Sequence, residues 1–468
     1  MKELPGFTLC NEQKLSFNSS LQNAISTHPL EGLINFGPYS KDLIISQTKV
    51  IRVKAIYPTN GYRKIEKIIT ELKNNHVPLE RKKYLKNFIG FKNIFGIDIE
   101  LLESNKCIEL SEDLIENDKS TKPHITLGNE IGNAIRSISN SRQEFDVLFI
   151  LLPEKWGLGF ENLEDDFNLH DLIKSIAASY NIATQIIRED STLLYKCRCS
   201  VMWRISIALY VKAGGIPWKL NGFDDETALI GLSYSMKYNQ YNNNYDFITC
   251  CSQVFDSDGT GLEFIAYETD EISHRIGKNP FLSRSEMRKV MSRSLALYQK
   301  RHFGKTPKKI VVHKTTHFTN DEINGCFDAF PQDTKIELLQ IVQNVNWKGI
   351  NVASSSSVDA YPINRNSFLQ INKNEILLWT QGNVIINGYP FYKEGKGIPS
   401  PLKIVRFAGE GGWFENSIII LGLTKMNWNH DGLYDRLPVT LGYASILATT
   451  IKRIGDLYNR PYEFRFFM

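Results

Sequence analysis

VKAGGIPWKL, Val211 to Leu220, divides this chain into two halves of different character. Its Gly214-Gly215 pair is a helix stop, because glycine enters the left-handed C-cap conformation at no steric cost. Upstream, Ile51, Val53, Ala55 and Tyr57 alternate as a strand, and Tyr62, Ile65, Ile69 and Leu72 follow with helical spacing, which makes a βα unit. Val147 to Leu152 is an unbroken apolar run closed by Pro153, as expected of a strand covered on both faces. A helix around His170 to Tyr180 then leads into a short strand near Thr184 to Ile187. The first half therefore reads as a parallel, Rossmann-like sheet, whose ligands gather at the carboxyl ends of its strands.

Downstream of the glycine pair, strands are joined by turns. Leu229 to Tyr234 begins the region, and the strands Asp246 to Val254 and Leu262 to Tyr267 flank FDSDGTG, in which Asp258-Gly259 is a hairpin signal. The same DSDG lacks the remaining ligands and the closing Glu of a calcium loop. YNQYNNNYD, Tyr238 to Asp246, reads as an exposed loop. Ser283 and Glu286 form a capping box before the apolar stripe Met287, Val290, Met291 and Leu295, Gly304 ends that helix, and Ile310 to Val312 is another buried strand. Three antiparallel strands, a helix and a further strand are the opening order of a ribonuclease H-like fold. The expected fold class is α/β, with one domain over residues 1–218 and a second over 219–468.

The length agrees with two domains, since single cores stop growing near about 250 to 300 residues. No apolar stretch is long enough to cross a bilayer, and the opening MKELPGFTLCNEQKL has neither the apolar run nor the cleavage site of a secretory signal, so a cytoplasmic protein is expected. Seven cysteines, an odd number with no CxxC pair, point to reduced, structural thiols. A formal charge of +4 does not by itself argue for nucleic acid. Between Arg284 and Lys309, however, nine cations (with Arg288, Lys289, Arg293, Lys300, Arg301, Lys305 and Lys308) are interrupted by the single acid Glu286. Such a cluster either tracks phosphates or is a solvated helix face; by itself it favours the second. GEGGW, Gly409 to Trp413, lacks the Lys-Ser/Thr of a P-loop and reads as a turn.

Four blocks resemble, in order and spacing, the junction and body of the paired MID and PIWI domains of Argonautes: VKAGGIPWKL, IGLSYS (Ile230 to Ser235), IVVHKTTHFTNDEI (Ile310 to Ile323) and LTKMNWNHDGLYDRLPVTLGYA (Leu423 to Ala444). HPLEGLINFGPY, His28 to Tyr39, is similar to the opening of short prokaryotic Argonautes, and the length leaves no room for the N and PAZ domains of long ones. The resemblance implies a Rossmann-like MID domain followed by a ribonuclease H-like PIWI domain. It also implies a pocket for the 5′ phosphate of a guide, carried over to His170, Lys174, Gln185 and Lys212. Their chemistry fits independently. His170 and Lys174, at i and i+4, share one helix face near its N-terminus, where backbone N–H groups and the dipole favour an anion; Lys212 adds a cation and Gln185 an amide. The blander alternatives are a solvated His/Lys pair and a lysine set against a helix C-terminal dipole. The family further implies Mg2+ at the guide end, held partly by the carboxylate of Met468 together with Gln185, although Ala208 replaces a polar residue often found there.

A cutting PIWI domain needs carboxylates to hold two cations about 4 Å apart. Where the resemblance locates them, this chain has Ser233, Thr315 and Ser445, uncharged hydroxyls, so no nuclease activity is expected. Asp224, Asp225, Glu226 and Asp321 are the acids available as substitutes. Arg406 and Lys314 resemble guide-backbone contacts, with Lys314 pointing into the vacated region. By resemblance the chain is a non-cutting recognition subunit of prokaryotic defence. It binds a 5′-phosphorylated guide RNA, pairs it with single-stranded DNA and activates a partner that carries an APAZ domain and an effector (TIR, sirtuin-like NAD hydrolase or nuclease). The alternatives are a guided metal-dependent nuclease and a non-specific single-strand binder.

Overall fold

The structure, a computed structural model, describes residues 6–468 except 48, 117–121, 224–225, 240–243, 255, 257, 269–271, 277–278, 351–361, 387–388, 393–396 and 455–460. The first half folds as expected. Strands Ala183–Arg188, Val147–Leu152 and Val50–Pro58 lie side by side in parallel, and both Asp98–Leu101 and Ile108–Leu110 continue the sheet from Val50–Pro58. All six residues of Val147–Leu152 are buried. Successive side chains point to opposite faces, so Leu148, Ile150 and Leu152 join a core with helices Pro123–Ser139 and Leu169–Ser179, while Val147, Phe149 and Leu151 join the core on the other side.

The second half is built on a ten-stranded sheet. Strands Thr227–Asn239, Asn244–Val254 and Leu262–Glu268 form an antiparallel meander, and Lys309–Lys314 and then Lys335–Val342 are added in parallel beside the first strand. Helices Arg284–Arg301 and Asn320–Ala329 precede those two strands in the chain, as a parallel connection requires. The strand parity decides which face each residue serves. Ile310 and Val312 pack in the core with Met287, Val290 and Met291 of the first helix, whereas Val311 packs in the core shared with Val439, Leu441 and Tyr443 at the start of helix Val439–Ile454. That last helix lies close: a Cβ at Gly231 would stand 2.0 Å from the Thr440 carbonyl oxygen.

One expectation changes. The loop expected over Tyr238 to Asp246 is largely strand, with Tyr238 opposite Tyr245 and Asn239 opposite Asn244; positions 240–243 lie outside the described residues. Tyrosines favour the pleated surface, and pairing extends the hairpin further than composition indicates. The beginning of the chain reaches the second half. Phe7–Leu9 pairs with Ser367–Asn372 at the far edge of the ten-stranded sheet, and Leu15–Ser16 pairs with Lys219–Leu220. Glu12 seals this arrangement through Lys425 (2.8 Å), Arg365 (3.2 Å) and Asn366 (2.7 Å).

Candidate nucleic-acid interface

Helix Leu169–Ser179 starts at Asn168, whose side chain accepts from the Asp171 N–H at 3.3 Å. His170, in the first turn, keeps an exposed ring. One turn later Lys174 is buried; its Nζ donates to the Thr184 carbonyl at 2.7 Å and to the main-chain oxygen of Met468. Lys212, the last residue of helix Arg198–Lys212, is buried too and donates to Gln185 Oε1 at 2.5 Å, while Gln185 Nε2 is turned to its own strand at Ile186 O, 3.0 Å. Strand Ala183–Arg188 thus separates two ammonium groups that arrive from two helices. Burial pushes Lys174 down to about 7. Lys212 is pushed well below the ordinary lysine value by burial and then by the charge of Lys174. Thr184 Oγ1 is buried nearby with no partner among the described residues.

Two buried, mutually repelling ammonium groups are poised for an anion, which would restore the charge that desolvation suppresses. They suit a cation less. Gln185 Oε1 and Met468 O, the oxygens expected to ligate magnesium, already accept from lysines, and Ala208 is buried and apolar. No cluster of three His, Cys, Asp or Glu side chains suited to a metal occurs among the described residues.

Ser233, Thr315 and Ser445 converge. They line one cavity of about 250 Å³ with Tyr234, Ser235, Asn279, Pro280, Thr316, Ala448 and Thr449, and no carboxylate or cation lines it among the described residues. Of the substitute acids, Asp224 and Asp225 lie outside the described residues, Glu226 is paired with Lys308 at 2.8 Å, and Asp321 stands exposed in the first turn of Asn320–Ala329.

Lys314 and Arg406 are not where they were expected. Lys314 has the opposite parity to Thr315 and is fully buried on the other face of the sheet. There it donates to both oxygens of Glu322 (2.6 and 2.7 Å), with the rings of Tyr234, Phe281 and Phe318 about it at 4.9–5.2 Å. Arg406 pairs with buried Glu337 at 3.1 Å, lies over the Trp413 ring and donates to Gly411 O; it holds the GEGG turn, where Gly409 has φ +106°. Several cations of the basic stretch pair with nearby acids: on the helix Arg284 with Asp328, Lys289 with Glu286 and Arg301 with Glu263, and beyond it Lys308 with Glu226 and Lys309 with Glu415. A solvated face accounts for it.

One region escaped the sequence reading. At the junction of the halves a groove of about 350 Å³ is lined by Arg81, Tyr84, Arg204, Tyr392, Asp431, Tyr434 and Arg436, among others. Arg81, with φ +52°, grips both oxygens of Asp431 (3.2 and 2.9 Å) and donates to Tyr84 Oη at 2.9 Å. Arg204 lies eight residues before Lys212 on one helix, about 12 Å along its axis. Its Nε donates to Ser200 O at 3.3 Å and its guanidinium lies over the Tyr195 ring at 5.6 Å. Scattered single arginines gave no signal; only the fold gathers them.

No family model matches the sequence, and no curated relative does. Solved structures do match. Clostridium butyricum Argonaute bound to a guide DNA and a 19-mer target DNA superimposes with a TM-score of 0.69 at 18% identity, over 99% of this chain and 55% of that one. Drosophila Piwi gives 0.62 at 12% identity over 99% and 56%, and Aquifex aeolicus Argonaute 0.60 at 17% over 100% and 56%. The chain spans about half the length of these proteins. A Rossmann-like unit followed by a ribonuclease H-like unit, superimposing over nearly all of its residues, gives this chain an Argonaute-like fold.

Proposed function

We propose that the chain is the guide-carrying recognition subunit of a short prokaryotic Argonaute system. It holds a guide RNA by its 5′ phosphate, pairs it with single-stranded DNA and does not cut that strand. The observation that carries this reading is that buried Lys174 and Lys212 donate to adjacent residues of one strand, Thr184 and Gln185, with His170 in the first turn of the helix that carries Lys174. A terminal phosphate has the charge to use two ammonium groups, and the His170 ring is free to stack on the first base. From there the strand has donors to follow in the junction groove with Arg204. The solved Clostridium protein, by its description, holds a guide DNA and a target DNA, which supports guided pairing as the use of this fold.

Charge supports the reading that the strand is not cut. Hydroxyl oxygens alone do not offset two divalent cations, and the cavity at the expected place offers hydroxyls. Recognition must then be reported by another protein, and an APAZ-containing effector (a TIR or sirtuin-like NAD hydrolase, or a nuclease) in a cytoplasmic defence heterodimer is the partner we propose. Magnesium has no role in this reading, because the lysines meet the phosphate. Incubating guide-loaded protein with complementary single-stranded DNA and Mg2+ tests it: retention of intact DNA is expected, and removing the metal with EDTA should change guide affinity less than about threefold. Cut DNA would favour the guided-nuclease alternative and would mean that acids such as Asp321 reach the site.

A further inference from the structure

We infer that the turn ending the basic helix is a stacking platform for an unpaired base in the flank of the target strand; this rests on the guided reading above. Helix Arg284–Arg301 closes on His302, and Phe303 follows in the left-handed region with φ +52°. Glycine usually takes that place, because a side chain there crowds the backbone. The Gly304 N–H returns to the Gln299 carbonyl at 2.8 Å and the Lys305 N–H to that of His302 at 3.0 Å, so the turn is closed by its own backbone. Beneath it the His302 ring stacks on Tyr298, with centroids 3.9 Å apart, and pairs with Asp256 at 2.8 Å. The turn is thus fastened, yet the Phe303 side chain is 98% exposed. A large apolar ring in a strained conformation, left in solvent, adds nothing to the stability of the fold.

Charge selects what covers it. Lys300, Arg301, Lys305 and Lys308 surround Phe303 in sequence. Arg301 is paired with Glu263 and Lys308 with Glu226, while Lys300 and Lys305 are exposed and in no salt bridge among the described residues. An aromatic face between such ammonium groups is the combination that single-stranded nucleic acid uses: a base stacks on the ring and the adjoining phosphates meet the cations. Bases within a duplex already stack on one another, so only an unpaired base has a face to offer. The turn also lies apart from the sites already described. It leads into strand Lys309–Lys314, whose other end carries Thr315 and the hydroxyl-lined cavity, about 20 Å away at the rise of a β-strand. A target paired to the guide keeps its flank tethered, and tethering makes one ring and two ammonium groups sufficient where a free strand would bind weakly.

The test uses guide-loaded protein and DNA targets that end at the guide's length or carry a single-stranded flank of about 15 nucleotides on one side or the other. At fixed salt, one flank should raise wild-type affinity roughly fivefold or more, and the same flank made abasic should not. Phe303→Gly should lose that gain, Phe303→Trp should keep it and Lys300→Ala/Lys305→Ala should reduce it, while all bind the flankless target as the wild type does. Phe303→Gly should also melt at a higher temperature, since glycine adopts the left-handed conformation without crowding. A lower melting temperature would show a packed ring and overturn the inference, as would a flank that adds nothing or a gain that survives Phe303→Gly or the abasic flank. Binding to phosphatidylserine vesicles that Phe303→Gly abolishes, with no response to any flank, would assign the turn to a membrane surface and overturn it too. In each of these cases the guided reading stands. Failure of the wild type to bind the flankless target overturns both.

Discussion

At the residue scale the account rests on Lys174 and Lys212. Both are buried, and burial disfavours the charged form. Binding a phosphate favours that form, so binding takes up protons as pH rises past about 7, the value to which Lys174 is pushed. Affinity for a 5′-phosphorylated RNA should then fall several-fold between about pH 7 and pH 9, and also below about pH 6, where the phosphate loses its second charge. A 5′-hydroxyl RNA should show no such profile; calorimetry across pH reads the difference, and a flat profile for both RNAs would remove the lysines from recognition. The resemblance supplied His170, Lys174, Gln185 and Lys212 together; helical spacing by itself set His170 and Lys174 on one face without separating a phosphate site from a solvated pair. Lys314 and Arg406 were misjudged for a physical reason. A cation in a β-strand serves whichever face its parity gives it, and each has a buried carboxylate on that face, Glu322 and Glu337.

At the scale of elements, the decisive contact is that of helix Val439–Ile454 with strand Thr227–Asn239. It brings Ser445 to Ser233, and it depends on Gly231, where a methyl group would meet the Thr440 backbone at 2.0 Å. Gly231→Ala should cost at least about 1–3 kcal/mol, the usual range for overpacking, seen as a lower denaturant midpoint, and should weaken target binding more than guide binding. Unchanged stability would show that the helix has room to move. The strands and helices named in the first half, and those of the second as far as Val312, were readable from periodicity and turn residues; Lys335–Val342, Ser367–Asn372, Glu375–Leu378 and Leu402–Ala408, which extend the ten-stranded sheet, were not read. The extension of the Tyr238 and Tyr245 strands was not, because composition alone marks an Asn-rich stretch as loop while cross-strand pairing is invisible in one strand's sequence.

At the scale of the molecule, distant charges fasten the halves. Glu12 meets Lys425 and Arg365, and Arg81 meets Asp431, across separations of 413, 353 and 350 residues. In sequence each is an ordinary surface charge; burial and pairing appear only after folding, and so do the junction groove and the edge position of Phe7–Leu9. The resulting body has two buried lysines and a hydroxyl-lined cavity joined through two packed helices, with a groove that includes Arg81, Arg204 and Arg436 at the junction of the halves. Among the described residues no helix is long and apolar enough to cross a membrane. Everything proposed for this chain depends on a guide being held by its 5′ phosphate. The measurement that tests it most directly compares binding of one short RNA, with and without that phosphate, to the wild type and to Lys174→Ala/Lys212→Ala at fixed salt, since salt alone shifts such affinities strongly. The account predicts a preference of at least about tenfold for the phosphorylated RNA in the wild type and none in the variant; equal binding of the two RNAs by the wild type would contradict it.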